Sequence, residues 1–218
     1  MLRLPRLYPI LDTATVERLG LSLPEAAAAM LEAGAEILQL RHKGQFTRAL
    51  SAAAGEIAAL CRRYGVPFIV NDRADIALLT GAGLHVGQDD LPPRDARRLL
   101  GPDRILGFST HNPEQLRAAL AEPVDYLAVG PIFSTSSKQN PDPVVGLDRI
   151  PELARQAHAA GRPLVAIGGI TRARAREVLH AGADSVAVIA DLYPDPCTAE
   201  ALRRRVREWL ELLRPTSA

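Results

Sequence analysis

Lysine is nearly missing from this chain: of 26 basic residues only Lys43 and Lys138 are lysine, and the other 24 are arginine. Either two lysines survive by chance, or these two positions need a compact ammonium, which binds phosphate as a point charge where a planar guanidinium would not fit. Aromatic residues are also scarce, at 4%, and the formal net charge is only +1. With few stacking surfaces and no basic field, nucleic acid is excluded as the main partner. No apolar run approaches the roughly 20 residues of a membrane span. Met1 to Pro9 carries two arginines but no long apolar core, so no signal peptide, anchor or membrane partner is expected, and the location defaults to the cytoplasm. Cysteine is limited to Cys61 and Cys197, far apart and without metal-ligand spacing to histidine, which reads as two reduced structural thiols.

What is present is an ordinary globular composition, 47% hydrophobic and 23% charged over 218 residues. Linkers, low-complexity tracts and charge blocks are lacking, so residues 1–218 are expected to form a single domain. Short apolar runs alternate with longer amphipathic segments. The runs predict strands at Leu7 to Leu11, Glu36 to Leu40, Pro67 to Val70, Gly83 to Val86, Arg104 to Phe108, Tyr126 to Val129, Pro163 to Ile167 and Ser185 to Ile189. Helices are predicted at Leu23 to Ala33, Thr47 to Tyr64, Arg73 to Leu79, Pro93 to Leu100, Pro113 to Ala121, Asp148 to Ala160, Arg172 to Ala181 and Cys197 to Leu213. Eight strand-helix units match the α/β class and a (β/α)8 TIM barrel, whose strands are covered on both faces and so read as continuous apolar runs. An open doubly wound sheet is the alternative. Ala33-Gly34-Ala35-Glu36 and Ala181-Gly182-Ala183-Asp184 repeat one pattern, a helix end, a glycine and a strand, as a left-handed C-terminal cap requires.

In such a barrel the ligand site lies at the C-terminal ends of the strands, and the polar residues gather there. Pro67 to Asp90 ends two apolar runs on carboxylates, Asp72 and Asp90. Delivered from neighbouring strands, the pair can hold a hard cation, since Mg2+ takes oxygen ligands and keeps waters and phosphate oxygens as well. Each also precedes a helix-like segment, where Asp is a favoured N-cap. Gln39, Arg41 and Lys43 alternate along the second strand and project to one side, as suits an anion, while Leu40 and His42 project to the other. Gly130 to Pro143 is a loop too long for a mere connector, carrying hydroxyls and Lys138 that could close over a phosphate; a solvated excursion is the bland alternative. Ile167-Gly168-Gly169-Ile170-Thr171 ends a strand and opens a helix, where bare N–H groups can receive a phosphate, and the Ile189-Ala190 turn completes the usual barrel phosphate site. His85 and His111 stand beside strands and read as satisfied structural residues; His158 and His180 look incidental.

Several of these segments together resemble the thiamine phosphate synthase family. They are Tyr8-Pro9-Ile10-Leu11-Asp12, Gln39-Leu40-Arg41-His42-Lys43, Asn71-Asp72-Arg73, His85-Val86-Gly87-Gln88-Asp89-Asp90, Gly107-Phe108-Ser109-Thr110-His111, Gly130 to Lys138 and Ile167-Gly168-Gly169-Ile170. The resemblance implies a barrel enzyme, a transferase that joins aminomethylpyrimidine diphosphate to a thiazole phosphate and releases pyrophosphate. It implies Mg2+ as cofactor, held by Asp72 and Asp90, and small molecules as the partners. The stretch Gln39-Leu40-Arg41-His42-Lys43 with Asn71 and Lys138 would bind the pyrimidine diphosphate, and Ser109 the pyrimidine ring. Thr135, Ser136, Ser137, Gly169, Ile189 and Ala190 would bind the thiazole phosphate. Catalytic residues distinct from these binding residues are not expected.

The chain departs from the family pattern at His42, where an acidic residue is more usual, at Ser134 for proline, at Ser137 for threonine and at Ala190 for serine. Ser137 keeps its hydroxyl, whereas Ala190 keeps only its backbone N–H. Two other readings fit the same barrel: a related thiazole tautomerase, with a histidine at the place of His111, and a non-catalytic sensor of phosphate ligands. The tautomerase leaves Asn71, Asp72, Asp90 and Lys138 unexplained.

Overall fold

The computed structural model describes residues 2–135 and 142–215. Eight parallel strands close a barrel in sequence order: β1 (Leu7–Asp12), β2 (Leu38–Arg41), β3 (Phe68–Asn71), β4 (Gly83–Val86), β5 (Leu106–Thr110), β6 (Tyr126–Val129), β7 (Leu164–Ile167) and β8 (Ser185–Val188). Pairing of β1 with β8, from Leu7 against Val186 to Pro9 against Val188, completes the ring and excludes the open doubly wound sheet. Around it run α1 (Thr13–Arg18), α2 (Leu23–Glu32), α3 (Arg48–Tyr64), α4 (Ala74–Thr80), α5 (Pro93–Leu100), α6 (Pro113–Ala119), α7 (Ile150–Ala159), α8 (Arg172–His180) and α9 (Ala199–Leu212).

Every predicted strand and helix is present, with ends displaced by at most two residues. The unpredicted α-helix is α1. It is six residues long and buries only Val16, so it has no apolar period to read; Asp12 creates it by accepting from Thr15 N at 3.0 Å and Thr15 Oγ1 at 2.8 Å. The repeated glycine pattern forms the same cap twice. Gly34 N bonds Leu31 O and Ala35 N bonds Met30 O; Gly182 N bonds Leu179 O and Ala183 N bonds Val178 O. Both glycines have positive φ, 104° and 117°.

Because each strand is buried on both faces, its side chains divide between two cores. Leu7, Leu11, Leu38, Leu40, Val70, Leu84, Leu127 and Val186 pack outward under the helices, where Trp209 of α9 and Cys61 of α3 are also fully buried. Burial pushes the Cys61 thiol up to about 12, which leaves it an inert packing group. Tyr8, Ile10, Ile69, Tyr126, Val165 and Ala187 fill the barrel interior.

One row across the barrel interior depends on a glycine. His85 of β4 is in register with Gly107 of β5, and Gly107 with Tyr126 of β6. Since Gly107 has no side chain, the rings of His85 and Tyr126 meet across it, stacked at 5.5 Å and 22°. A Cβ on Gly107 would lie 2.1 Å from Cζ of Tyr126. Gly107→Ala is therefore expected to destabilise the protein by about 1–3 kcal/mol, as overpacking does. Urea denaturation should show a lower midpoint with an unchanged slope; an unchanged midpoint would mean that the ring is free to move.

Candidate active site

The C-terminal ends of the strands open into a cavity of about 680 Å3. Gln39, Arg41, Lys43, Asn71, Asp72, Asp90, Ser109, Thr135, Gly169, Ile189 and Ala190 all line it. Strand alternation brings the first three there and turns their neighbours away. Leu40 is buried in the outer core, and His42 bonds the Thr13 hydroxyl through Nδ1 at 2.8 Å and the Gln45 carbonyl through Nε2 at 3.2 Å, with its edge on Phe46. The side chains of Leu40 and His42 are thus not brought to the cavity. Ser136, Ser137 and Lys138 lie outside the described residues.

At one rim the charges are interlocked. Arg41 donates to Asp12 at 2.5 Å, a pair that is largely buried, so the guanidinium is held in one orientation at the end of β2. Asp12 therefore both starts α1 and fixes Arg41. Lys43 Nζ donates to Asp72 Oδ2 at 2.6 Å. Asp72 has φ of 64° and is the one positive-φ residue other than glycine among those described, a conformation that functional sites tend to retain.

Neither carboxylate caps a helix. The cap positions of α4 and α5 are Arg73 and Pro92, without side-chain hydrogen bonds, so the capping expectation for Asp72 and Asp90 is not met. Asp90 instead closes its own turn by accepting from Gly87 N at 2.7 Å. Asp72 and Asp90 stand against each other. Burial, then the neighbouring Asp90 carboxyl, push the Asp72 carboxyl up to about 6, overriding the opposite pull of Lys43. Two carboxylates that repel in a half-buried site fit a divalent cation, which removes the repulsion. Among the described residues no three His, Cys, Asp or Glu side chains gather as a metal cage, and Mg2+ does not need one when phosphate oxygens and water complete its shell.

The opposite rim is built of backbone. Gly168 and Gly169 have φ of 99° and 65°. Phe133 N bonds Gly168 O at 3.0 Å, and a Cβ on Gly169 would come within 2.4 Å of Ser134 O. The glycine pair thus seats the start of the loop after β6 at this rim, a packing demand beyond the open phosphate approach read from the sequence. Thr171 precedes α8 without capping it through its side chain, which leaves first-turn N–H groups open. The Ile189-Ala190 turn after β8 stands beside them on the same cavity wall. Arg174 also lines this side, its guanidinium 4.5 Å from the ring centre of Phe133.

The wall between the rims is aromatic and polar. Tyr8, His85 and Tyr126 are buried and line the cavity floor. The sequence patterns assign no part to the two tyrosines or to Asp12, which sit inside apparent apolar strands or at their ends; the aspartate ending the first run, like Asp72 after the third, is the available signal. His111 Nδ1 donates to Gly130 O at 2.7 Å.

A family model described as thiamine monophosphate synthase matches residues 7–192. The chain is 48% identical over 215 residues to a thiamine-phosphate synthase of Koribacter versatilis, with 97% of each chain covered. It is 43% identical to one of Chloroflexus aurantiacus, covering 92% of this chain and 91% of that one. Among solved structures it resembles a thiamine phosphate pyrophosphorylase from Pyrococcus furiosus at 30% identity and TM-score 0.75, over 95% and 97% of the two chains. The chain belongs to the thiamine monophosphate synthase family. In this member of the family, the proximity of the two carboxylates has a measurable consequence. Removing the Asp90 carboxyl in Asp90→Asn should let the Asp72 pKa fall from about 6, because that carboxyl is, after burial, the next cause that raises it. Carboxyl 13C titration by NMR in metal-free buffer reads this directly; an Asp72 midpoint that does not move would mean that the pair is uncoupled.

Proposed function

We propose that the chain joins 4-amino-2-methyl-5-hydroxymethylpyrimidine diphosphate to a thiazole phosphate, giving thiamine phosphate and pyrophosphate. The observation that carries this reading is one cavity with two anion-receiving rims: Arg41, Lys43, Asn71 and the Asp72-Asp90 pair at one, and the open turns of Gly168-Gly169 and Ile189-Ala190 at the other. A diphosphate fits the first rim and a monophosphate the second, so the reacting carbon and nitrogen meet over the floor between them.

The bond from the pyrimidine methylene carbon to the diphosphate oxygen breaks, leaving cationic character on carbon that the ring amino group delocalises. Arg41, held by Asp12, and Lys43, held by Asp72, offer fixed positive charge to the departing oxygens without reorganising. Lys138 is assigned to the same leaving group. Mg2+ bound at Asp72 and Asp90 would neutralise further charge on the diphosphate. The thiazole nitrogen then supplies its lone pair to the carbon. Because it has no proton to lose, bond formation needs no general base, which agrees with His85, whose ring nitrogens both face hydroxyls and whose pKa burial pushes down to about 4, making it a weak base. Ser109 is assigned to the pyrimidine ring, and Thr135, Ser136, Ser137, Gly169, Ile189 and Ala190 to the thiazole phosphate. A cytoplasmic location and a single domain over residues 1–218 go with this reading. No helix among the described residues is long and apolar enough to cross a membrane.

Pyrophosphate release from the two substrates, with and without Mg2+, tests the proposal. Mg2+-dependent release is expected, and Asp72→Asn or Asp90→Asn should lower it by at least about 100-fold, the scale for loss of fixed charge stabilisation, with thermal unfolding little changed. Full activity in either variant would remove the metal assignment. No release at all from wild type would favour a tautomerase or a sensor.

A further inference from the structure

A chain of hydrogen bonds crosses the barrel interior and ends at both sides of the cavity floor. Gln39 Nε2 donates to the Tyr8 hydroxyl at 3.1 Å, the Tyr8 and Tyr126 hydroxyls are 2.8 Å apart, Tyr126 OH meets His85 Nδ1 at 2.9 Å, and His85 Nε2 meets Ser109 Oγ at 2.7 Å. Tyr8 is 1% exposed and Tyr126 fully buried, so water cannot supply a substitute partner for either hydroxyl.

Each link has one proton to give, and the first fixes the rest. Tyr8 oxygen receives the Gln39 N–H, so its own proton goes to Tyr126. The Tyr126 proton then goes to His85 Nδ1, which must be the bare nitrogen of a neutral ring. The ring proton therefore sits on Nε2 and is donated to Ser109 Oγ. Two groups remain for a ligand: the Ser109 hydroxyl proton, a donor, and Gln39 Oε1, an acceptor. Turning the Gln39 amide over would reverse every link and exchange both ends at once, so the two ends cannot be set independently.

We propose that Tyr8, Tyr126 and His85 are positioning residues that fix Ser109 as a donor and the Gln39 side-chain oxygen as an acceptor toward a 4-aminopyrimidine ring. This rests on the function proposed above and deepens it. An aminopyrimidine offers a ring nitrogen that accepts and an amino group that donates, the complement of these two ends. Its 4-oxo counterpart puts an acceptor where Gln39 already presents one, and the relay cannot invert that end without also inverting Ser109. Selection between amino and oxo rings thus comes from residues deep in the barrel, acting through Gln39 and Ser109.

The test has two arms. In wild-type protein labelled with 15N-histidine and bound to the 4-aminopyrimidine monophosphate, the His85 signals, assigned by their loss in His85→Asn, should report a proton on Nε2. A proton on Nδ1 would overturn the proposal. In Tyr126→Phe the lock on His85 is removed, so the ratio of inhibition constants for the 4-oxo and 4-amino monophosphates should fall by about three- to tenfold, the worth of one neutral hydrogen bond. The Michaelis constant for the thiazole phosphate should stay within about twofold, since the lost bond lies buried beneath the cavity floor and involves neither the Gly168-Gly169 nor the Ile189-Ala190 turn. An unchanged ratio, or equal weakening of both substrates, would overturn the positioning role. Failure of the underlying function is recognised separately: wild-type enzyme that releases no pyrophosphate, whatever the His85 tautomer, would overturn the pyrimidine assignment.

Discussion

Closure of eight parallel strands leaves neither face of any strand in contact with bulk water, so each inward polar side chain must find its partner inside the barrel or at its mouth. That constraint sorts the interior by chemistry. Ile37, Ile69 and Val165 pack as apolar fill. The tyrosines, His85 and Ser109 satisfy one another. At the mouth the charged groups can remain charged because the cavity opens to solvent there and ion pairs such as Arg41 with Asp12 and Lys43 with Asp72 form.

The mouth is organised by unequal pairing. Arg41 has a dedicated partner in Asp12, and that bond serves orientation, since Asp12 is itself fixed by two bonds from Thr15. Lys43 shares Asp72 with Asp90 instead, and the positive charge there is outweighed by burial and the second carboxylate, which is why Asp72 is pushed up to about 6. An arrangement of this kind is poor for stability and suited to binding, since the Mg2+ and diphosphate proposed above would together complete it. The positive φ of Asp72 belongs to the same trade: the backbone is held in a sparsely populated conformation where it aims the carboxylate into the cavity.

Much of this organisation is legible in the residues alone. The apolar runs locate all eight strands, and alternation along β2 separates Gln39, Arg41 and Lys43 from Leu40 and His42 with the correct hand. The family motif, by contrast, groups all five as binding residues, and the structure turns two of them outward. What escapes the sequence are contacts between residues far apart in the chain. Asp12 and Arg41 pair across two strands, and Tyr8, His85 and Tyr126 meet only because the barrel register sets Gly107 between the last two. Gly169 looks like a bare approach for phosphate, yet its hydrogen also makes room for the Phe133-Ser134 backbone. Short α1, with no apolar stripe, is invisible for want of a period.

If the Asp72-Asp90 pair is a site completed by Mg2+ and diphosphate together, each ligand must tighten the binding of the other. Calorimetric titration of the pyrimidine diphosphate into metal-free enzyme at pH 7.5, repeated in saturating Mg2+ without the thiazole partner, measures that coupling directly. Mg2+ is predicted to tighten binding by at least about tenfold in wild type, a coupling of roughly 1.4 kcal/mol or more, and the gain should disappear in Asp72→Asn. Equal affinity with and without Mg2+ in the wild-type enzyme would contradict a shared site.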